Sequence, residues 1–352
     1  MEPTYLCSGV TWHADGPVLS LHETLPQDRT LADKETPAYS GSGRPHALRE
    51  ESAGVSTGGP DTPGTDRIIP AGTADAATPD LQLASGARVA FEIAAEERFC
   101  LGFHRVHDRD ERTWSPCADQ LPAERGYQCG RCFAQDDLRF MHDIHRSGIA
   151  PAGLKRYLDQ PHWLYVATFA DGASKVGTAS HLRKRARLVE QGAVLAQYVA
   201  YARDGRTVRI LEDEVTRSVG LQQAVRSGAK AAALCAPLPA AQLQDINDGF
   251  ALAARGLLAG GIDVEGFEVV REEFVPPEAD VVLAYSGLQP YPEPLGAGRH
   301  GFTIRELLGP SALVSIDGAD LVFVADLSQL KGKRLHLGDF TTAVPAVQEA
   351  LF

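Results

Sequence analysis

The stretch from residue 163 to residue 212 constrains the fold most, because strand-like and helix-like patterns alternate within it. The run W-L-Y-V-A-T-F and the run K-V-G-T-A predict two strands joined by a turn at Asp171-Gly172, which is typical of a β-hairpin. A basic helix is predicted to begin after Ser180, a candidate N-cap, and to end at Gly192. The runs A-V-L-A-Q-Y-V-A-Y and R-I-L-E-D-E-V then predict a third strand and a second helix. The predicted order of this core is β-β-α-β-α.

Four side chains of this core suggest a reactive site. Tyr165 and Lys175 lie on the two predicted hairpin strands, and Arg185 and Glu212 lie on the two predicted helices. A phenol, an amine, a guanidinium and a carboxylate can together bind a phosphodiester, activate water and hold a divalent metal ion. If the four groups meet, the sequence predicts chemistry on phosphates.

Simpler interpretations of the same residues stay open. Tyr165 lies in an apolar strand and could be a core aromatic residue. Glu212 precedes two further acids and could belong to a solvated acidic patch. Arg183 and Arg187 could pair with those acids in a surface network, which would contribute little to stability.

The core resembles the GIY-YIG nuclease superfamily, in particular the incision domain of bacterial nucleotide-excision repair. The motifs that carry this resemblance are Leu164-Tyr165-Val166, Lys175-Val176-Gly177, Arg185 and Leu211-Glu212, in that order along the chain. The resemblance implies a catalytic set of four residues and a substrate-binding set of three. The catalytic set is Tyr165, Lys175, Arg185 and Glu212, with Glu212 holding Mg²⁺ or Mn²⁺, and the substrate-binding set is Gly177, Arg183 and Arg187.

The chain departs from the pattern of this superfamily at two motif positions, and it offers no counterpart of the asparagine that often closes the site. Lys175 stands where the second motif tyrosine would be, and Leu164 stands where the first motif begins with glycine. A lysine could act beside the scissile phosphate as an ammonium or, with a lowered pKa, as a base. The main hypothesis is therefore a metal-dependent phosphodiester hydrolase acting on nucleic acid. The alternatives are a non-catalytic zinc-containing module that binds nucleic acid or protein, and a hydrolase of a small nucleotide-like phosphate.

Four cysteines upstream of the core predict a structural zinc site of the zinc-ribbon kind, because closely spaced thiolates are good Zn²⁺ ligands. They are Cys100, Cys117, Cys129 and Cys132. One ligand could instead come from a nearby histidine, namely His104, His107, His142 or His145, and free or redox-active cysteines remain alternatives. Together with these cysteines, the pattern K-V-G…R-L-V-E-Q-G-A also resembles a family of bacterial proteins of uncharacterised activity.

Charge and apolar content limit the classes of partner. The formal net charge is -12, which argues against a general nucleic-acid coat, yet residues 151–235 carry 13 Lys and Arg against 7 Asp and Glu. This basic region is suited to one anion-binding surface, so a nucleic-acid partner is possible. The sequence begins without a signal-peptide pattern and has no apolar run long enough for a bilayer. A cytoplasmic location without a membrane partner is therefore expected.

The sequence predicts an α+β protein in five segments. They are N-terminal strands at 1–22, a disordered insert at 23–80, a β and four-cysteine module at 81–150, the GIY-YIG-like core at 151–235, and a helix plus small β module at 236–352. The insert is assigned from its Pro, Gly, Ser and Thr content, which offers few large apolar side chains to offset the entropy of ordering.

Overall fold

The computed structural model describes residues 3–24, 67–70, 80–141 and 143–344, with side chains described outside 67–70. Its strands, numbered in chain order, are β1 (Thr4–His13), β2 (Gly16–Glu23), β3 (Arg67–Pro70), β4 (Leu81–Gln82), β5 (Arg88–Ala95), β6 (Phe103–Val106), β7 (Glu111–Ser115), β8 (His162–Thr168), β9 (Ser174–Ser180), β10 (Leu195–Ala202), β11 (Phe267–Phe274), β12 (Gln289–Pro290), β13 (Arg299–Leu308), β14 (Ser311–Ser315), β15 (Val322–Asp326) and β16 (Arg334–Leu337). Its α-helices are α1 (Gly130–Gln135), α2 (Ile144–Ser147), α3 (Ala152–Leu158), α4 (Ala186–Gln191), α5 (Gly205–Val219), α6 (Ser227–Ala233), α7 (Ala240–Ala259) and α8 (Pro277–Leu283). The α+β class is confirmed.

The largest sheet joins strands from both ends of the described chain. Its order is β12-β15-β14-β13-β5-β16-β1-β2-β4, so that β1 lies between β2 and β16. Apolar side chains from both ends share its core, including Leu19, Phe302 and Leu335. The predicted division into N-terminal strands at 1–22 and a separate small β module at 236–352 therefore differs from the structure. Alternating apolar residues identify strands, but they do not reveal which strands pair.

The core forms a second sheet in the order β11-β10-β8-β9, with antiparallel neighbours throughout. The elements β8, β9, α4, β10 and α5 follow the predicted order β-β-α-β-α, and the hairpin turns at Gly172, whose φ is 83°. Helices α5 and α7 cover one face through buried residues such as Leu211 and Ala251, which pack on Val166. The helix predicted within 236–352 is present as α7.

The basic helix is shorter than the prediction. A 3₁₀ turn at His181–Arg183 comes first, and α4 begins only at Ala186. Ser180 makes no capping hydrogen bond, whereas the Tyr198 hydroxyl donates to the Lys184 carbonyl at 2.8 Å and satisfies it between the two helical pieces. A tertiary hydrogen bond is thus made at the point where the segment divides, although its local pattern indicates one helix. Gly192 ends α4 with a φ of 68°, as predicted.

A third sheet, in the order β3-β7-β6, lies next to α1 in the part of the chain that carries the four cysteines. The predicted insert at 23–80 falls largely outside the described residues, and β3, which pairs with β7, is the strand described within it. Among the residues that the structure describes, none of the helices has the length and apolar character needed to span a membrane.

The two larger sheets touch through a pair of glycines. Gly192 follows α4 of the core, and Gly309 lies in the turn between β13 and β14. A Cβ atom at Gly309 would lie 2.5 Å from the backbone nitrogen of Gly192, closer than van der Waals contact allows. Both glycines have positive φ, 68° and 59°. Only residues without a side chain permit this approach of two backbones.

We expect Gly309→Ala to lower the free energy of unfolding by more than the strain of a positive φ alone, about 1–3 kcal/mol, because the new methyl group must also separate the backbones. Gly318→Ala is the matched control, since Gly318 has a φ of 79° and nothing within 4 Å of its Cβ position. Urea unfolding of both variants would measure the difference. Equal losses would show that the two backbones separate without energetic consequence.

Candidate functional site

The hairpin and α5 bring three of the four predicted catalytic residues together. Tyr165 on β8 pairs with Gly177 on β9, and Lys175 lies two residues before Gly177, so both side chains are on the same face of the sheet. Helix α5 packs beside β9 and supplies Glu212. Each of the three side chains is at most 7% exposed. They form a buried polar group at one edge of the core sheet.

Tyr165 is held by hydrogen bonds inside the core. Its hydroxyl accepts from the Gln191 side-chain nitrogen at 2.8 Å and also interacts with Arg187. Burial raises the pKa of Tyr165, while Arg187 and Gln191 act in the opposite direction. A Cβ atom at Gly177 would lie 2.5 Å from the Tyr165 hydroxyl oxygen. Gly177, predicted to bind substrate, therefore makes room for the Tyr165 ring.

Lys175 lies in an environment with surplus positive charge. Burial and then the charges of Arg187 and Lys230 lower its pKa to about 7, and Glu212 opposes this shift. Burial and Arg187 likewise lower the pKa of Lys230 to about 8. An amine with such a pKa exchanges protons near neutral pH.

Glu212 is not part of a solvated patch, so that simpler interpretation is wrong. Its side chain is buried, and burial raises its pKa, while Arg209, which donates a hydrogen bond to one carboxylate oxygen, and Lys175 lower it. The adjacent Asp213 points elsewhere and accepts hydrogen bonds from Arg146 and from His145. Neighbouring acids on one helix therefore occupy different environments.

The arginine beside the buried group is Arg187, whereas the resemblance assigned Arg185 to catalysis. Arg185 is exposed, and its guanidinium lies 5.9 Å from the centre of the Phe274 ring. Arg183, predicted to bind substrate, forms an ion pair with Glu190.

Sequence analysis missed three members of this group, namely Gln191, Arg209 and Lys230. Gln191 follows Arg187 by four residues and Glu212 follows Arg209 by three, which are spacings that place side chains together on a helix. Such spacings could have identified Gln191 and Arg209. Lys230 comes from α6, and no local pattern connects it to Lys175. We refer to Tyr165, Lys175, Arg187, Gln191, Arg209, Glu212 and Lys230 as the buried polar cluster.

The four predicted cysteine ligands meet in a second site. Cys100, Cys117, Cys129 and Cys132 are buried and free, and their sulfur atoms lie within 4.8 Å of one another. Sulfur atoms around a tetrahedral ion with 2.3 Å bonds are about 3.8 Å apart, so the cluster could hold a metal ion. The backbone amides of Gly102 and Cys132 donate to the sulfurs of Cys100 and Cys129 at 3.4 and 3.5 Å. Among the described residues, these four cysteines are the group of three or more His, Cys, Asp or Glu side chains that could hold a metal ion.

The histidines considered as substitute ligands have other surroundings where the structure describes them. His107 lies 2.9 Å from the Thr113 hydroxyl, and His145 lies 3.0 Å from Asp213. The side chain of His142 is outside the described residues. In the described chain, the residues that could hold a metal ion are the four cysteines, and no histidine belongs to that group.

We expect Lys175 to make stability depend on pH. Between its folded pKa of about 7 and its ordinary value of 10.5, the unfolded chain retains a proton that the folded chain has released. Unfolding then takes up a proton, so the free energy of unfolding rises with pH by up to about 1.4 kcal/mol per unit. Urea titrations from pH 7 to 9.5 should show a steeper rise for the wild type than for Lys175→Met. Parallel curves would contradict a buried, neutralised lysine.

Comparisons of the chain with protein-family models, with curated proteins and with solved structures find no match. The chemistry of the two sites must therefore be inferred from their own residues. The buried polar cluster is suited to an anion, and the cysteine cluster is suited to a metal ion.

Proposed function

We propose that the chain is a phosphodiester hydrolase acting on nucleic acid, with the buried polar cluster as its reactive centre and a GIY-YIG-like core as its framework. The observation that carries the proposal is the meeting of Tyr165, Lys175, Arg187 and Glu212, contributed by four different elements. The charge of Glu212 affects the pKa of both Tyr165 and Lys175, and Lys175 in turn affects the pKa of Glu212, which supports one shared environment for the three side chains. Such a set contains a proton acceptor, a hydrogen-bond donor and a group that stabilises an oxyanion.

The charges of the cluster favour an anionic ligand. Four cations of the cluster lie near one another, namely Lys175, Arg187, Arg209 and Lys230. Glu212 is the carboxylate of the cluster, and Asp326 raises the pKa of Lys230 from outside it. Burial and then positive charges lower the pKa of both lysines, and a negatively charged phosphoryl group would relieve the repulsion among those charges. Arg187 is the exposed member, and a phosphodiester would approach from its side.

The pKa shifts divide the roles of the polar groups. Lys175 has a pKa of about 7 and would accept the proton of the attacking water. Burial raises the pKa of Tyr165, so its phenol would stay protonated and orient the water or a phosphoryl oxygen. Arg187 would stabilise the negative charge that develops on the phosphoryl oxygens. The bond from phosphorus to the leaving oxygen breaks, and that oxygen takes a proton from solvent.

Glu212 would hold the Mg²⁺ or Mn²⁺ that the resemblance implies. Magnesium sites often use one or two carboxylates together with water and substrate phosphates, and one buried carboxylate fits this mode. A bound ion would polarise the phosphoryl group as a Lewis acid. The Arg209 guanidinium now donates to the Glu212 carboxylate, so it would have to release one oxygen.

Cleavage of labelled single-stranded DNA, duplex DNA and RNA with Mg²⁺, with Mn²⁺ and with EDTA would test the proposal. We expect Arg187→Ala to lower kcat about 10²- to 10³-fold, as loss of an oxyanion-stabilising donor does. Glu212→Gln should abolish the metal dependence. Arg217→Ala is the matched control, because Arg217 is exposed on α5 and pairs with Glu214 outside the cluster.

Two outcomes would contradict parts of this assignment. A larger loss of kcat in Arg185→Ala than in Arg187→Ala would favour Arg185, the arginine that the resemblance implies, over Arg187, the arginine that lies beside Tyr165. Equal cleavage by wild type and by an Arg187→Ala, Glu212→Gln double variant would remove the cluster from catalysis. Cleavage of mononucleotide esters but not of oligonucleotides would favour the alternative of a small phosphate substrate.

A second candidate function, binding without cleavage, is favoured by the hydrogen bond between Arg209 and Glu212. If this pair is permanent, the carboxylate is unavailable to a metal ion while the cations still attract phosphates. Such a module would bind oligonucleotides with an affinity that falls steeply with salt, and it would not turn them over.

We further propose that the ion at the cysteine cluster is Zn²⁺ with a structural role. Four thiolate ligands suit zinc and leave no coordination position open for substrate. The four-cysteine region contacts the nine-stranded sheet through Gln120, three residues after Cys117. The guanidinium of Arg334 on β16 donates to the backbone and side-chain oxygens of Gln120 at 3.3 and 3.2 Å. Zinc binding would therefore stabilise the attachment of the four-cysteine region to that sheet.

We expect the purified protein to contain about one zinc ion per chain, as four cysteine ligands bind one ion. A Cys129→Ser, Cys132→Ser double variant should lose the zinc and melt at lower temperature. Cys235→Ser is the control, because Cys235 is half-buried in a separate apolar cluster. Elemental analysis and thermal denaturation would decide, and zinc retained by the double variant would contradict the assignment.

A further inference from the structure

Three rings cluster at the end of the core sheet, beyond the buried polar cluster. Trp163 on β8 lies 4.8 Å from Tyr201 on β10 and 6.1 Å from His181, measured between ring centres. The rings of His181 and Tyr201 are 6.2 Å apart. His181 is exposed, and the other two rings are half-buried. We call Trp163, His181 and Tyr201 the ring cluster.

The ring cluster and the buried polar cluster lie along one face of the sheet. Trp163 and Tyr165 are two residues apart on β8, a step of about 6.8 Å with both side chains on the same side. Tyr198 connects them, with ring centres 5.4 Å from Trp163 and 6.4 Å from Tyr165. Helix α4 covers the Tyr165 end through Leu188, whereas the ring cluster at the other end remains partly open to solvent.

Cationic groups accompany the rings on the side of α4. The Lys184 nitrogen lies 3.4 Å from the centre of the Trp163 ring, and it forms an ion pair with Glu272. Arg185 is exposed on the same segment, and Arg187 follows it toward Tyr165. On the opposite side, Tyr201 pairs with the exposed Glu268 of β11. The face therefore carries the exposed cations Arg185 and Arg187 near the buried polar cluster, while Glu272 pairs with Lys184 and Glu268 lies beyond the rings.

We propose that the ring cluster stacks an unpaired base of a single-stranded nucleic acid, whose neighbouring phosphate lies against Arg185 and Arg187. Proteins that bind single strands combine a basic path for the backbone with aromatic rings on which bases stack. A paired base offers no free face to such rings, so the arrangement selects single strands over duplexes. This proposal rests on the proposed function for the identity of the phosphate group, and it names the substrate class of that site.

The positions of the cations and of the rings set which side of the face the phosphate backbone occupies and which side the base occupies. The phosphate backbone would follow the basic segment from Arg185 to Arg187, and the base would point away from it toward Trp163 and Tyr201. The separation of Trp163 and Tyr165 along β8, about 6.8 Å, is of the order of one extended nucleotide step. One stacked base would therefore place the next phosphodiester at the entrance to the buried polar cluster.

The proposal is tested by measuring binding under conditions in which a metal-dependent hydrolase cannot cleave. Fluorescence anisotropy in EDTA would compare a labelled oligothymidylate with an abasic oligonucleotide of the same length and phosphate number. We expect the abasic strand to bind about tenfold more weakly, as loss of one or more stacked bases implies. Tyr201→Leu should reduce binding of the oligothymidylate about tenfold and leave the abasic strand unaffected, whereas Tyr201→Phe should retain wild-type affinity.

Tryptophan fluorescence gives a second measurement at the site. Stacking should quench the emission of Trp163, and the chain has three tryptophans in all. We expect the oligothymidylate to quench the wild type and Trp163→Phe to lose that quenching. If Tyr201→Leu does not fold, His181→Ala replaces it, because His181 is exposed and its loss should be tolerated.

Equal affinity for the two oligonucleotides, preference for duplex DNA, or no binding at all would overturn the proposal. Base-dependent binding without cleavage under Mg²⁺ or Mn²⁺ would support the stacking surface while contradicting the hydrolase. Cleavage that is indifferent to Tyr201→Leu and occurs equally in duplexes would support the hydrolase while contradicting the stacking surface.

Discussion

The burial of Lys175 and Glu212 among other charged groups is the constraint on which the candidate site depends. Moving an amine and a carboxylate out of water is costly, and their attraction offsets that cost only when other groups complete the arrangement. Arg209 binds the carboxylate, but Arg187 and Lys230 add positive charge near the amine. The cluster is therefore not optimised for stability alone. A surplus of like charge at a buried position is typical of a site that receives a ligand of opposite charge.

The fold positions these groups through close contacts at glycines, where a Cβ atom would not fit. Gly177 leaves room for the ring of Tyr165, and Gly192 and Gly309 allow α4 to approach the nine-stranded sheet. Because α4 carries both Arg187 and Gln191, its placement fixes two partners of Tyr165. The geometry of the site is therefore linked to the packing of the two sheets.

Local sequence patterns predicted the elements of the core and the four cysteines well. The turn at Gly172, the strands beside it and the cysteine spacing all follow from short-range rules. The identity of the arginine beside Tyr165 did not follow, because a 3₁₀ turn at His181–Arg183 replaces the first part of the predicted helix and α4 begins only at Ala186. Lys230 could not be predicted either, since its proximity to Lys175 arises only from tertiary packing. The pairing of β1 with β16 is likewise a long-range feature that alternation cannot reveal.

The pairing of β1 with β16 also has a kinetic consequence. Thr4 lies opposite His336, so the nine-stranded sheet brings together residues separated by most of the chain. Contacts of such high sequence separation form slowly, because the entropy of closing a long loop is lost before any contact compensates for it. The core sheet contains the local β8–β9 hairpin and can form earlier. During synthesis on the ribosome, β1 must wait for its neighbour β16, and in that interval β1 has an unpaired edge open to association with other chains.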